Sequence, residues 1–292
     1  MQIMTDDRGY WLGFDFGGTG TRVVVADDAG LREGLALATS DFATRPIERL
    51  VAAAVEVSPE GRLLGVGIGS SGPVDLRTGE IHNPDTLPQF HEKAIAQGLA
   101  DALHAPVWID NDAVAAALAE FTWGLPSRVA SLLVVTLGTG IGAALIEEGR
   151  PVRAADGQHP ESGHIGVPGS GSPCYCGLEQ CWEMVASRTA LDRLMAEWTG
   201  DVEGLWSAYA ERIASGLITL ITIHHPESIV ISGSVAQHWE HLREPLVRAL
   251  ACRPEFDAEH ALHASQLGPY GGAHGATLLA RHGIGHLARP RV

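Results

Sequence analysis

A chain of 292 residues, 45% hydrophobic and 19% charged, has the composition of a globular protein with room for one large core or two medium ones. Its 35 acidic against 20 basic side chains give a formal net charge of −15, a surface that repels phosphate backbones and anionic lipid and so argues against nucleic acid and membranes as partners. The opening MQIMTDDRGYW has no cationic segment leading into an apolar core, and the longest apolar stretch, near Val129–Leu137, is far too short for a bilayer span; the chain reads as cytoplasmic.

In chain order, Trp11–Gly30 (WLGFDFGGTGTRVVVADDAG) is an apolar strand, a Gly/Thr turn and a second β-branched strand, which predicts a hairpin. A helix over Arg45–Val57 and a buried strand over Leu63–Gly69 follow. Next come a loop containing SSGPVD, a helix through Glu92–Leu103, a strand over Ala105–Asp110 and an alanine-rich helix over Ala113–Phe121. Leu132–Val152 (LLVVTLGTGIGAALIEEGRPV) repeats the order of the first hairpin about 120 residues later. Gly157–Pro173, rich in Gly, Pro, Ser and His, reads as an ordered loop. Helices resume over Trp182–Ala196 and Leu205–His224, then a last buried strand over Ser228–Ser234 leads to a glycine-rich turn and helix, GGAHGATLLARHG. Strands alternating with helices predict an α/β architecture, and two hairpins at half-chain spacing predict a duplicated domain with a cleft between the copies.

Three constellations carry chemistry. In DFGGTGTR, Gly17 and Gly18 let the backbone approach a ligand, Thr19 and Thr21 add hydroxyls, and consecutive N–H groups form an anion-binding concavity. Asp15, at the strand end, is placed to hold magnesium through water. LGTGIG offers the same loop chemistry through Gly138, Thr139 and Gly140. A Walker A loop needs a Lys-Ser/Thr pair, absent here, and a Rossmann turn needs a helix after its glycines, whereas both loops run into β-branched strands. A tight hairpin without a ligand accounts for either loop taken alone.

In IDNDAVAAALAE a strand ends at Asp110 and a helix begins at Asn111 or Asp112. Either of the latter two suits an N-cap. A carboxylate at such a junction also suits a general base, and spacing does not choose between Asp110 and Asp112. Finally, His164 precedes Cys174 by ten residues, and Cys176 and Cys181 follow, so three of the four cysteines lie within eight residues. Three thiolates and one imidazole suit tetrahedral zinc, and four protein ligands imply a structural site. The C-x-C spacing speaks against a redox pair, while Cys252, alone, reads as a small buried hydrophobe.

The order of these motifs resembles that of the ROK family (bacterial repressors, open reading frames and sugar kinases) within the actin-like ATPase superfamily. DFGGTGTR resembles the first phosphate loop, GSSGPVD a G-x-P-G-x-V-D segment, NDAVAAALAE the catalytic N-D-A motif and LGTGIG the second phosphate loop. ESGHIGV resembles the E-x-G-H motif, CYCGLEQCWE the zinc segment, and IVISGS with GGAHGATLLA the adenosine region and closing helix; the likeness runs from about residue 10 to 283.

The resemblance implies duplicated ribonuclease H-like domains with an interdomain cleft. A smaller domain would span residues 10–120 and take in the C-terminal helix at about 273–292, and a larger one, 121–272, would carry the zinc site. It implies Asp112 as catalytic base and Asn111 as a sugar contact, with Gly72, Glu161, His164 and Glu183 also at the sugar. His164 would ligate zinc, with Cys174, Cys176 and Cys181, through its other nitrogen. Asp15, Gly17, Gly18, Thr19, Thr21, Arg22, Gly138, Thr139, Gly140 and Gly233 fall to ATP and Mg²⁺. A homodimer is the family expectation.

The implied reaction is transfer of the γ-phosphoryl group of ATP to a sugar hydroxyl, glucose to glucose 6-phosphate first, with domain closure excluding water. An amino-deoxyhexose, an N-acetylhexosamine, another hexose or a cyclitol is the alternative acceptor. The alternative class is a sugar-binding regulator of the same family without catalysis. The family's sugar-sensing repressors carry an N-terminal helix-turn-helix, for which a phosphate loop beginning at Asp15 leaves no room, and retention of Asp15, Asp112 and both loops argues against lost catalysis. Some positions depart from the pattern. Gly20 replaces a lysine, which shifts phosphate contacts to Arg22 and backbone, and Thr86 stands where an N-L-P segment has Asn, which favours a sugar altered at one ring position. Gln180 replaces a glycine of the cysteine segment, and Ser232 and Ser234 replace glycines near the nucleotide.

Overall fold

The computed structural model describes residues 9–169 and 172–291; most of the opening segment that argued against a leader lies outside the described residues, as do two positions of the Gly157–Pro173 loop. The chain divides into two compact units. Met1–Trp123, Arg153–His159 and Leu267–Val292 make the first, and Gly124–Val152 with Pro160–Gln266 the second.

In the first unit, β1 (Gly9–Phe16) and β2 (Gly20–Asp27) form the expected hairpin, with Trp11 opposite Ala26 and Phe16 opposite Thr21. A third strand, β3 (Gly30–Ala38), extends it; its sequence GLREGLALA has no fully buried residue, and Leu35 and Leu37 pack in part against the core. Next, α1 (Pro46–Val57) starts on Pro46, whose fixed φ suits a first helical turn. β4 (Arg62–Ser70) is buried along most of its length, and β5 (Val74–Asp75) pairs with β6 (Glu80–Ile81) as a short ribbon. α2 (Ile95–Leu103) begins three residues later than its periodicity predicts, because His91 bridges to Ile81 and Glu92 takes a left-handed backbone. β7 (Val107–Asn111) leads into α3 (Asp112–Ala119), which continues as a π turn over Glu120–Gly124.

The second unit opens with the other hairpin, β8 (Ser131–Leu137) and β9 (Ile141–Glu147), followed by β10 (Arg150–Pro151). The helix predicted over Trp182–Ala196 is two, α4 (Trp182–Ala186) and α5 (Arg188–Glu197). Ser187 between them is extended, and its hydroxyl caps α5 by accepting from the Ala190 N–H. Then come α6 (Val202–His224), β11 (Ser228–Ser232), α7 (Trp239–Leu250), α8 (Ala258–Ala261) and β12 (Leu262–Ala264). Pro245 and the polar residues of α7 mask its buried stripe of Leu242, Leu246 and Leu250. Cys252, expected to be buried, is exposed just beyond the end of α7, its thiol near the Ala249 carbonyl. The chain then returns to the first unit with α9 (Gly271–His282) and β13 (His286–Ala288).

The two sheets share one plan. Their strand orders are β13-β7-β4-β1-β2-β3 and β10-β9-β8-β11-β12. In each, the first hairpin strand (β1 or β8) pairs antiparallel with its mate and parallel with the next buried strand (β4 or β11). That repeated topology is the structural form of the duplication. Each unit has its own core, built on Phe14, Phe16, Leu99 and Ile109 in the first and on Trp182, Tyr209, Leu217 and Ile229 in the second. Among the described residues no helix is long and apolar enough to cross a membrane.

Two features of the first unit position its chemistry. Phe16 pairs with Ser70 and Ser70 with Asn111, so the C-terminal ends of β1, β4 and β7 lie side by side. Against them packs α9 at the closest range glycine allows. A Cβ on Gly67 of β4 would stand 1.6 Å from the Ala276 carbonyl oxygen, and one on Gly275 of α9 would stand 1.7 Å from that of Ala115 in α3. Any side chain at these positions would drive α9 off the strands and helix that carry the site.

Candidate functional site

Three aspartates meet at those strand ends, and their surroundings differ. Asn111 caps α3, its Oδ1 accepting from the Ala113 N–H at 2.8 Å, the same N–H that lies 2.8 Å from Asp112 Oδ1. Asp112 Oδ2 accepts the Ser71 hydroxyl at 2.7 Å. Asp110 is turned the other way, fully buried, and engages Arg153 through both oxygens, with Oδ1 accepting from Nη1 at 3.0 Å and Oδ2 from Nη2. The two aspartates that spacing alone left equivalent are thus distinct: Asp110 is committed to an internal ion pair, and Asp112 is oriented by a serine.

Burial raises the pKa of Asp112, while donation from Ser71 and the Ala113 N–H opposes the rise. Asp15 is pushed up to about 7, first by burial and then by the neighbouring Asp112 carboxylate, with Arg22 opposing in part. The two carboxylates oppose each other's charge, and only Asp112 has the Ser71 hydroxyl and the Ala113 N–H to offset it. The start of α9 adds to the burial of Asp15, since a Cβ on Gly272 would lie 2.8 Å from its Oδ2.

The first glycine loop closes through the Gly17 N–H on the Gly20 carbonyl at 3.0 Å. Gly18 and Thr19 are exposed and Gly17 and Arg22 half-buried. Thr21, expected to face a nucleotide, is wholly buried, its hydroxyl 3.1 Å from that of Thr39, which in turn donates to the Gly17 carbonyl at 2.6 Å. It braces the loop from beneath, because strand alternation turns it inward. Close to Gly18 lies Thr86, whose N–H and hydroxyl both donate to Asn83 Oδ1, at 2.9 and 3.0 Å; the Asn83 amide donates to the Gly72 carbonyl at 2.9 Å.

In the second unit, the Gly138–Gly140 turn is seated on the start of α5. The Gly138 carbonyl accepts from the Arg188 N–H at 2.8 Å and the Thr139 carbonyl from the Thr189 hydroxyl at 3.0 Å. Glu183 Oε2 accepts the Ile141 N–H at 2.9 Å, so this glutamate also holds the turn. Gly233 follows β11 with φ 81, and a Cβ there would lie 2.6 Å from the Leu137 carbonyl oxygen. Only glycine fits that conformation so near the turn.

His164, Cys174, Cys176 and Cys181 converge, one donor atom of each lying within 4.8 Å of the others. His164 Nδ1 is 3.3 Å from Cys181 Sγ and 3.6 Å from Cys174 Sγ. Cys181 is held in place by the Gly166 bridge and by its neighbour Trp182, which is buried and donates to the Arg212 carbonyl at 3.1 Å. Burial, with the adjoining thiols, pushes Cys181 up to about 12, and burial raises Cys174 as well. Thiols this crowded ionise together when a cation sits among them, and the donor set has the composition of a four-ligand zinc site. The remaining imidazole nitrogen, Nε2, is 2.8 Å from the Tyr175 hydroxyl. Glu161 is exposed immediately before the 3₁₀ turn Ser162–His164.

Ser71, Arg153 and Tyr175 are the partners that sequence reasoning passed over. Ser71 lies inside the quoted GSSGPVD segment and Tyr175 between two of the cysteines, so both sit in motifs without being marked by them. Arg153 carries no local signal, its partner being 43 positions away.

The ROK family profile matches residues 11–282. A glucokinase of Halalkalibacterium halodurans is 29% identical over 283 residues, spanning 82% of this chain and 84% of its own. Among solved structures, a ROK hexokinase from Thermus thermophilus has a TM-score of 0.76 at 30% identity, covering 94% of this chain and 99% of its own. A ROK family glucokinase from Streptomyces griseus, in complex with glucose and AMPPNP, has a TM-score of 0.78 at 26% identity, covering 94% and 100%.

The raised carboxylate gives a stability test. Between the ordinary value of 3.8 and about 7, the folded protein keeps a proton on Asp15 that the unfolded chain has released. Folded stability therefore falls as pH rises through that window. Asp15→Asn, which does not ionise, should flatten the decline, leaving the slope due to Asp112. Urea unfolding from about pH 4 to about pH 8 reads this directly, and equal slopes for both proteins would contradict it.

Proposed function

Because the chain belongs to the ROK family, we propose that it is an ATP-dependent sugar kinase that transfers the γ-phosphoryl group to a sugar hydroxyl, with glucose, at its 6-hydroxyl, as the leading acceptor. The observation that carries the reading is Asp112: a half-buried carboxylate at a strand-to-helix junction, oriented by the Ser71 hydroxyl at 2.7 Å and free of the ion pair that occupies Asp110. In this role Asp112 takes the proton of the attacking hydroxyl, and Ser71 holds the carboxylate in the orientation to do so. Asn111, Gly72, Glu161, His164 and Glu183 are assigned to the sugar. The backbone N–H groups of the two glycine turns, with Thr19, Arg22 and Gly233, are assigned to the nucleotide. Asp15 suits a divalent cation, since positive charge would relieve the two adjacent carboxylates; magnesium entering with ATP supplies such charge beside the phosphates.

Zinc is assigned to His164, Cys174, Cys176 and Cys181. Ligation through His164 Nδ1 fixes the imidazole and leaves Nε2 to a hydroxyl. Here that nitrogen meets Tyr175, so a sugar hydroxyl would take the place of the phenol. Two carboxylates and an imidazole accept several hydroxyls of one pyranose, and a site of this kind discriminates against a sugar lacking one of them. Thr86 favours a second reading, a ring-modified hexose or a cyclitol. Its hydroxyl is turned onto Asn83, so this position offers the sugar no amide.

Asp112→Asn should lower kcat by roughly 10²–10⁴-fold while nucleotide and sugar still bind. Asp110→Asn should act on stability instead, because it leaves the Arg153 charge without its partner, a loss of about 3–5 kcal/mol for a buried pair. Steady-state kinetics beside thermal unfolding separates the two, and near-normal turnover by Asp112→Asn would sink the assignment.

Purified protein should carry about one zinc per chain at the cysteine cluster. Cys181→Ser should lose the metal and unfold at a lower temperature, as read by elemental analysis and calorimetry. A metal-free preparation with full activity and an unchanged Tm would refute this part of the reading.

A further inference from the structure

A second group of ligand-type side chains lies in the first unit and contains no cysteine. His82 follows β6 directly, and His91 and Glu92 stand at the far end of the loop that begins at Asn83. One donor atom from each of His82, His91 and Glu92 lies within 4.8 Å of the others. Glu92 Oε2 is 4.0 Å from His91 Nε2, and Glu80 Oε2 is 4.0 Å from His82 Nε2. The two imidazoles stand nearly perpendicular, at 76°, with ring centres 6.4 Å apart.

The backbone here is built to hold these side chains together. His91 bridges to Ile81, the residue before His82, and the Glu92 N–H donates to the Ile81 carbonyl at 2.9 Å. His82 is fixed by its own N–H on the Pro73 carbonyl at 2.8 Å, and His91 by its N–H on the Leu87 carbonyl at 3.0 Å. Glu92 has φ 52, a left-handed backbone uncommon for a residue with a side chain and frequent at ligand clamps. His91 Nδ1 lies 3.4 Å from the Ile81 carbonyl oxygen. A proton held there leaves Nε2 with its lone pair toward the cluster, which is the tautomer a metal ligand needs.

We propose that His82, His91 and Glu92 form a second metal site, for a divalent transition ion of the zinc type, with Glu80 or water as the fourth ligand. Two imidazoles and a carboxylate are the donors such ions accept, at distances of about 2.0–2.2 Å. Side chains that are half-buried or exposed reach that geometry by small rotations, and they leave the ion exchangeable, unlike the one assigned to the cysteine cluster. Its effect follows from position. The ion would join the two ends of the loop over residues 83–90, and that loop carries Asn83, which holds Gly72, and Thr86, which packs against Gly18. The site acts as a clasp on the segment beside the first glycine loop. It stands independently of the sugar reading.

The test is zinc binding by the intact chain, measured by equilibrium dialysis and calorimetry on the wild type and on His82→Ala. That change leaves the His91 bridge and its carbonyl contact untouched. The wild type should take up one more zinc per chain than His82→Ala, and added zinc should raise the wild-type Tm more than the variant's. Glu92→Gln should weaken the additional binding by roughly tenfold or more. Equal stoichiometry and equal Tm response in wild type and His82→Ala would overturn the site. Because the reading is a difference between the two proteins, failure of the cysteine cluster to hold zinc would lower both alike and leave this comparison intact.

Discussion

Two half-buried carboxylates held close together set the terms for the first unit. Asp15 and Asp112 reach the same region because the ends of β1 and β7 flank β4 in one sheet. Covered by α9 in a contact only glycine permits, neither is easily charged: burial raises both, and Asp112 raises Asp15 further. The fold answers the repulsion in two ways. Ser71 and the first turn of α3 supply donors to Asp112, and Arg22 partly offsets the charge at Asp15. What remains unbalanced is negative charge at a strand-end loop of backbone N–H groups, an arrangement that suits a cation arriving with phosphate. The close packing of α9 thus limits how much water reaches these charges, with Gly272 set directly against Asp15.

The second unit applies a different constraint. Its histidine and cysteine cluster comes from a loop of low regularity, and order is imposed at a few points: the bridge from Gly166 to Cys181, Trp182 buried below it, and Glu183 on the Ile141 N–H. Cys181, Trp182 and Glu183 are consecutive, so one short stretch ties the thiol cluster, the core and the second glycine turn together. A metal at the cysteines would stiffen the same stretch from its other side. Tyr175 adds a local control, because its hydroxyl meets the His164 nitrogen that faces away from the thiols.

Much of this was legible in the chain because it depends on local rules. Glycine and threonine between β-branched runs announced both hairpins, and the repeat at half-chain spacing announced the duplicated sheet plan. The Asp110–Asp112 segment announced a strand-to-helix junction. What escaped depends on partners distant in sequence or on weak patterns. β3 interrupts its leucines with Arg32, Glu33 and Gly34 and buries none of them fully, α7 hides its leucine stripe behind Pro245, and the break at Ser187 is a cap inside an otherwise helical run. The distinct situations of Asp110 and Asp112 follow from Arg153 and Ser71, about 40 positions away in opposite directions along the chain. Thr21 illustrates a further limit. Its motif pointed to a ligand, while strand alternation turned its hydroxyl inward to Thr39. Cys252 shows the reverse, a residue type that is usually buried left exposed where α7 ends.

The central claim is that these two units serve phosphoryl transfer to a sugar. Its most direct test is ADP release by the purified chain with magnesium and ATP across hexoses, amino sugars and cyclitols, with the phosphorylated product identified by ³¹P NMR. The account predicts acceptor-dependent ADP release and, with glucose, a phosphate ester at the 6-hydroxyl. ATP left unconsumed with every acceptor in the panel would contradict it.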